Sequence, residues 1–345
     1  MLFGFGKKSL VGIDIGTASI KVVELSKSSG HFKLETYGIA HLSYQEDVPE
    51  ASSPISVTVN GLRELLKRSN IKSKKVVASL PTSTVFLSVI TIPNLPPKEQ
   101  PRAIEREAQK IIPMPLEDMT VSWNVVPSAG SSEDGKTVVT LTAVPNYVIT
   151  NYVKVFQELH ISPKAIEVEA TALIRSLVGQ DSSTVLIVDV GSRTSTVNLI
   201  DRGFIYFSKN INVGGEAITN SIAQTLNVNL ERAEQFKKTL GLSGISGGGD
   251  APRSIQPTLN LLKGEIEQIM HLSQGRGRVV EKMILTGGGA KLLGLDKYLT
   301  TNFNIPVTIG NPWARVLVPE KIKPILTDLG PSLAIGVGLA MRQET

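Results

Sequence analysis

Residue types that handle phosphate lie close together in the stretch Gly12-Ile13-Asp14-Ile15-Gly16-Thr17-Ala18-Ser19-Ile20-Lys21. Gly16 removes side-chain bulk, so a turn there can aim backbone N–H groups at an anion. Thr17 and Ser19 add hydroxyl donors, and Lys21 adds a positive charge. Asp14 repels a phosphate, and a carboxylate there makes sense only with a divalent cation between the two. Apolar, β-branched residues flank the stretch on both sides, so it reads as the turn of a β-hairpin. An ordinary hairpin carries Asp-x-Gly equally well, and one copy does not decide between the two.

The pattern returns. In residues 185–199, Asp189, Gly191, Ser192, Thr194 and Val197 fall on Asp14, Gly16, Thr17, Ser19 and Val22. Each copy opens a region long enough to be a domain, which indicates a duplicated fold rather than a short repeat. Two facing hairpins, each with an acid and a donor-rich turn, could clamp a metal-bound polyphosphate.

Three later features bear on the same chemistry. Gly214 and Gly215 precede Glu216 and a helical segment at 217–226, where N–H groups at a helix start can meet an anion, or the pair forms only a tight turn. Glu234 and Lys237 lie three apart on a helix at 230–240, a spacing that also suits a plain surface contact. Gly287, Gly288 and Gly289 follow an apolar strand and precede Lys291, a run that lets backbone approach a flat ligand closely. The chain lacks Gly-x-Gly-x-x-Gly at this point, which disfavours a Rossmann dinucleotide site, and it holds no Gly-x-x-x-x-Gly-Lys-Ser/Thr run.

The elements that must position these residues follow from periodicity. The order strand, strand, strand, helix, strand up to residue 80 predicts a mixed sheet covered by helices. A strand-helix-strand-strand-helix block at 84–162 has the size of an inserted subdomain. It contains a helix at 98–112, stopped by Pro113-Met114-Pro115, and a hairpin tip at 128–136. Helices are expected at 165–177, 258–274, 291–301 and 329–342, and loops at 45–54 and 243–250. In the last helix Gly336, Gly338 and Ala340 suit close helix–sheet packing.

The totals set limits. A length of 345 residues accommodates about two domains with their own cores. The net charge is +5 without basic and aromatic residues interleaved, so a nucleic-acid groove is not indicated, while a slight attraction to anionic membrane remains open. With no cysteine there is neither a disulfide framework nor a thiolate metal site. His31, His41, His160 and His271 lack ligand spacing. The apolar start at 1–6 is no secretory signal, and no run spans a bilayer, so a cytoplasmic location is expected.

Taken in order, the acidic hairpin, its repeat, Gly-Gly before a helix, Glu-x-x-Lys and Gly-Gly-Gly resemble the actin-like ATPase superfamily over nearly the whole chain. Within it, three segments resemble the PilM family of actin-like, FtsA-related type IV pilus assembly proteins: Asp14 through Leu25, Ala103-Ile104-x-x-Glu107-Ala108 with Ile112 through Pro115, and Asn311-Pro312-Trp313. The resemblance implies an α/β actin-like ATPase fold: two duplicated mixed-sheet domains around a nucleotide cleft, with a small α+β subdomain inserted in the first. Domain I would cover 1–177, with the insertion at about 84–162. Domain II would cover 178–328, with a nucleotide-contacting part at about 214–280, and a C-terminal helix at 329–345 would pack back on domain I.

By that likeness Asp14, Gly16, Thr17, Ala18 and Lys21 form the first phosphate loop, and Asp189, Gly191, Ser192 and Thr194 the second. Gly214, Gly215 and Glu216 would lie near the ribose, Glu234 and Lys237 near ribose and adenine, and 286–291, with Lys291, would match the adenosine motif. The cofactors implied are ATP and Mg²⁺, the metal held by Asp14 and Asp189 through water. The implied partners are the cytoplasmic N-terminal peptide of PilN, the pilus motor ATPases and, through PilN, the inner membrane; a homo-oligomer is open. Many relatives carry Glu-Pro-x-Ala where this chain has Glu169-Ala170-Thr171-Ala172. Glu169 keeps the carboxylate that orients the attacking water, but the proline is missing, which implies at most slow hydrolysis. The alternatives are a small-molecule kinase with real turnover, using Glu167 or Glu169 as base, and a scaffold that has lost ATP.

Overall fold

The computed structural model describes residues 9–42, 54–126, 135–244 and 254–343. The apolar start at 1–6 and nearly all of the expected loops at 45–54, 128–136 and 243–250 lie outside the described residues.

Two sheets share one strand order. In the first half, β1 (Ser9–Ile15), β2 (Ser19–Ser28) and β3 (His31–His41) form an antiparallel meander. After α1 (Pro54–Arg68), β4 (Val76–Leu80) joins parallel to β1. An inserted layer follows, made of β5 (Phe86–Pro93), α2 (Gln100–Ile111), β6 (Met119–Val125) and β7 (Lys136–Pro145). Beyond it come α3 (Asn146–Glu158), β8 (Ala165–Val168), parallel to β4, and α4 (Glu169–Leu173), which continues as a π turn over Ile174–Val178.

The second half repeats the plan. Here β9 (Val185–Val190), β10 (Ser195–Asp201) and β11 (Phe204–Ile211) form the meander. Then come α5 (Gly215–Leu226), α6 (Leu230–Gly244), α7 (Gln256–Gln274) and β12 (Lys282–Thr286), parallel to β9. The chain closes with α8 (Leu295–Phe303), β13 (Val307–Ile309), β14 (Val316–Leu317) and α9 (Lys323–Ala340). The sheet orders are β14-β3-β2-β1-β4-β8 and β11-β10-β9-β12-β13, so apart from β14 the two sheets are topological copies.

Central strands buried on both faces carry near-continuous apolar runs. Val22 faces α1 and α3, packing with Val59, Leu62 and Phe156, while Val23 faces α9 beside Leu333 and Val337. A third core joins the halves: Val77 and Val168 from the first sheet meet Val185, Ile187 and Ile284 from the second, with Leu173 and Leu339 between them. The inserted layer, in order β5-β7-β6, has its own core, in which Ile104 and Ala108 of α2, and Ile112 just past its end, lie over Val139 and Leu141 at helical spacing in the sequence. Its expected second helix, α3, instead places Val155 and Phe156 in the first-lobe core.

Three expected helices differ in extent. Residues 165–168 form a strand, because Val77 through Leu80 offer a parallel partner edge and the pairing overrides helical periodicity; the helix begins only at Glu169. The segment after Gly289 makes a short 3₁₀ turn, and α8 waits until Gly294, whose φ of 87° breaks the run. The last helix starts at Lys323 rather than near 329, since Pro324 sits in its first turn, where a missing N–H costs nothing.

Candidate functional site

The two hairpin tips have one geometry. The Gly16 N–H donates to Ser19 O at 3.0 Å, and the Gly191 N–H donates to Thr194 O at 3.0 Å. A Cβ on Gly191 would stand 2.7 Å from Thr194 O, so the tight turn admits only glycine. Thr17 is exposed at the first tip, while Ala18 and Ser192 are half-buried.

Asp14 lies at the C-terminal end of β1, 2% exposed. Its Oδ2 is 3.1 Å from Nζ of Lys21, its cross-strand partner, and its Oδ1 accepts from Ser79 Oγ at 3.1 Å. Glu169 begins α4 at the end of β8 and accepts from the Thr82 N–H at 3.0 Å and from Thr82 Oγ1 at 3.3 Å. Asp189 lies at the end of β9, opposite Thr286 of β12. All of these are carboxyl ends of parallel strands, the edge outside which open α/β sheets place their ligands.

Electrostatics couples the two halves at this point. Burial pushes the Asp189 carboxyl up to about 6, and the charge of Asp14 adds to it against the pull of Lys21. Glu169 is pushed up to about 8, by burial first and then by Asp14 and Asp189. Burial works against the Lys21 ammonium, but Asp14, with Asp189 and Glu169 behind it, raises it overall. The structure thus brings Asp14, Lys21, Glu169 and Asp189 into one cluster with more negative than positive charge, which suits a cation. Among the described residues no group of three or more Asp, Glu or His is placed as a ready-made metal cage. A magnesium ion that keeps its waters and takes phosphate oxygens fits such an acid pair.

The remaining expected residues divide. Gly215 N and Glu216 N donate to Gly191 O and Ser192 O at 2.9 and 2.8 Å, so the helix-start donors close the second loop instead of facing open space. A Cβ on Gly214 would meet Ser192 O at 2.4 Å. Glu216 accepts from Ser192 Oγ at 2.8 Å and from Arg193 Nε at 3.2 Å. Glu234 and Lys237 make more than a surface pair: Lys237 Nζ stands 2.6 Å from Glu234 Oε2 and donates to Thr219 Oγ1 and Gly215 O, tying α6 to α5. Burial raises the Glu234 carboxyl, but Lys237 and Thr219 more than offset it and hold it below the usual range.

The glycine run also has two jobs. Gly287 (φ 81°) would put a Cβ 2.2 Å from Asp189 Oδ1, and Gly289 one 2.3 Å from Val190 Cγ1, whereas Gly288 faces nearly open space. Lys291 turns away to Asp328 Oδ2, at 2.6 Å, and stands outside the cluster. Glu167 is engaged by Arg175 and Arg342, at 2.8 and 3.0 Å, which marks it as a structural acid. Ser79 and Thr82 were not singled out from the chain; a serine in the fully buried run Val76-Val77-Ala78-Ser79-Leu80 is the one signal pointing to either.

Known proteins share this architecture. The structure of a PilM–PilN type IV pilus biogenesis complex superposes with a TM-score of 0.82, 24% identity and coverage of 96% of this chain and 98% of that one. MreB 5 of Spiroplasma citri, solved with AMPPNP bound, superposes at 0.51 with 15% identity over 96% and 94% of the two chains. Cell division protein FtsA of Pseudomonas aeruginosa is 26% identical over 51% of this chain; the match spans 46% of FtsA, less than half its length. The fold is that of the actin-like ATPases, and because the family model described as type IV pilus assembly protein PilM matches residues 12–344, the chain belongs to the PilM family.

Proposed function

We propose that this protein binds magnesium-bound ATP between its two lobes and uses it to govern a scaffold: the cytoplasmic tail of PilN docks on it, and through it the pilus motor ATPases meet the assembly platform. One observation carries the nucleotide part. Asp14, Lys21, Glu169 and Asp189, from four strand ends in two duplicated halves, converge with uncompensated negative charge. Thr17, Ala18, Lys21, Ser192 and Thr194 would face the phosphates, with Asp14 and Asp189 holding the metal through water. Glu216, Glu234 and Lys237, on α5 and α6, would border the ribose, and Gly288 the base. Bound Mg²⁺ supplies the positive charge that two buried acids and a polyphosphate share.

Domain I at 1–177 and domain II at 178–328 are then the lobes on either side of the nucleotide. Among the described residues no helix is long and apolar enough to cross a membrane, and the proposed position is the cytoplasmic side of the inner membrane, held by PilN. Calorimetric titration with Mg²⁺–ATP tests this: Asp14→Ala and Asp189→Ala each weaken binding by about tenfold or more. Titrating a synthetic PilN tail with and without nucleotide reads the coupling, expected at about 5–150-fold. Unchanged ATP affinity in both variants would overturn the site, and tail affinity indifferent to ATP would overturn the switch.

Turnover is a second reading, favoured by Glu169 alone. A carboxyl near 8 holds its proton at neutral pH, so as a base it acts only in the deprotonated fraction. Slow phosphate release that Glu169→Gln abolishes, with ATP affinity retained, would establish it.

A further inference from the structure

A strand at the edge of a sheet offers unpaired N–H and C=O groups to any other strand, and proteins blunt such edges by keeping them short, charged or covered. Most edges here follow that rule. The strands β14, β13 and β8 are 2, 3 and 4 residues long. Strand β11 carries Lys209, paired with Glu265 of α7, and lies against the inserted layer, where Thr140 Oγ1 donates to Ile205 O at 3.2 Å. Strand β5 turns Leu87 into the core between the two sheets and ends in Pro93. The edge at β6 has none of these protections. Its 7 residues, Met119-Thr120-Val121-Ser122-Trp123-Asn124-Val125, include no charge and no proline, and among the described residues β6 pairs with β7 alone. Residues 122–125 are all exposed, Trp123 at 39% and Val125 at 41%.

The register fixes which groups face outward. Val125 lies opposite Val139, and one step on the Val126 N–H donates to Val138 O at 2.9 Å. Hydrogen-bonded pairs alternate along an antiparallel ladder, so Thr120, Ser122 and Asn124 turn their backbone groups to β7, while Val121, Trp123 and Val125 turn theirs to the open side. Side chains alternate as well. Val121, Trp123 and Val125 lie opposite Ala143, Leu141 and Val139, on the face that α2 covers, yet Trp123 and Val125 stay exposed there.

We infer that β6 is a docking edge for a second copy of this chain, the two strands pairing antiparallel about a two-fold axis. An open hydrogen-bonding edge selects an extended strand, and the sequence of β6 selects its own copy. A two-fold centred on a residue sets odd positions against odd and even against even, so apolar residues meet apolar ones and polar residues meet polar ones. With no charge on the strand, self-pairing brings no like charges together, and Glu117 and Asp118, just ahead of it, fall at opposite ends of the pair. Centred on Trp123, the pair sets the two indoles side by side, Val121 against Val125 and Ser122 against Asn124. Every outward N–H and C=O of Val121, Trp123 and Val125 then has a partner. One strand pair is a small interface, so the dimer is weak and forms as concentration rises. It draws on neither the nucleotide cluster nor the PilN tail.

Sedimentation velocity of the full chain, without nucleotide or PilN tail, tests it. Between about 1 and about 100 µM the protein passes from monomer to dimer. Ser122→Lys with Asn124→Lys, at two exposed positions that face each other across the pair, weakens the dimer by about tenfold or more while the thermal transition stays put. Ser122→Glu with Asn124→Glu does the same, and an equimolar mixture of the two variants restores the dimer, because lysine then faces glutamate. Thr308→Lys, on the short edge β13, leaves it unchanged. A monomer throughout the range, including one whose lysine variant loses the PilN tail instead, a dimer indifferent to the lysine pair, or a mixture that stays monomeric would each overturn the inference.

Discussion

In the unfolded chain Glu169 gives up its proton near 4.5, whereas in the folded protein burial, and then the charges of Asp14 and Asp189, hold the proton on until about 8. Between those values the native state binds more protons than the unfolded one, so stability falls as pH rises through the window and levels off above it. Asp189 adds the same sign from 3.8 to about 6. The loss amounts to a few kcal/mol. Glu169→Gln keeps the Thr82 contact but cannot ionise, so thermal melting of that variant without nucleotide should decline less between pH 4.5 and 8 than wild type; parallel declines would refute the assignment. Gly287→Ala makes a sterically separate prediction. Its φ of 81° and the 2.2 Å approach to Asp189 Oδ1 cost about 1–3 kcal/mol in melting and displace the acid, while Gly288→Ala should be close to silent. Asp14 and Asp189 were legible because duplication repeats their spacing. Ser79 and Thr82 were not, since their partners lie 65 and 87 residues away and only sheet order brings them together.

At the scale of elements, α9 touches both halves: Thr286 Oγ1 and the Gly287 N–H, at the end of β12, donate to Pro331 O within it at 2.9 and 3.0 Å. A Cβ at Gly12 would meet Gly336 O at 2.1 Å, and one at Gly338 would meet Ala172 O at 1.9 Å, so strand, helix and α4 touch backbone to backbone. Backbone cannot swing aside as a side-chain end does, so Gly338→Ala should destabilise by about 1–3 kcal/mol through overpacking. Gly264, exposed inside α7 with open space around it, should do the opposite: Gly264→Ala stabilises by about 0.5–1 kcal/mol because the unfolded chain loses freedom. Urea unfolding of the two variants reads the signs, and a shared sign would defeat the packing account. The same contrast explains which elements could be read from the chain. The helix α2 announces itself through Ile104, Ala108 and Ile112 and through Pro113 just beyond it. Residues 165–168 look helical by themselves and become β8 only because β4 offers an edge, a fact that no local window contains.

Across the whole molecule, the duplicated sheets are joined by more than a ligand. Val77 and Val168 from the first lobe, Val185 and Ile284 from the second, and Leu173 and Leu339 between them form one apolar core. Two lobes that share a core cannot unfold one at a time without exposing the other's apolar face, so calorimetry should show a single transition even without nucleotide. Adding Mg²⁺–ATP at about a hundredfold over its dissociation constant contributes about 2.7 kcal/mol. With an unfolding entropy of about 2.1 cal/mol/K per residue over 345 residues, that moves the midpoint up by about 4 °C without splitting it. Asp189→Ala, with ATP binding weakened about tenfold or more, should keep the single transition and cut the shift to about half or less, because the acid would hold the proposed ligand's metal and is not part of the shared core. Two resolved transitions, of which ATP moves only one, would mean that the lobes fold independently and that the cleft, rather than the core beneath it, is all that unites them.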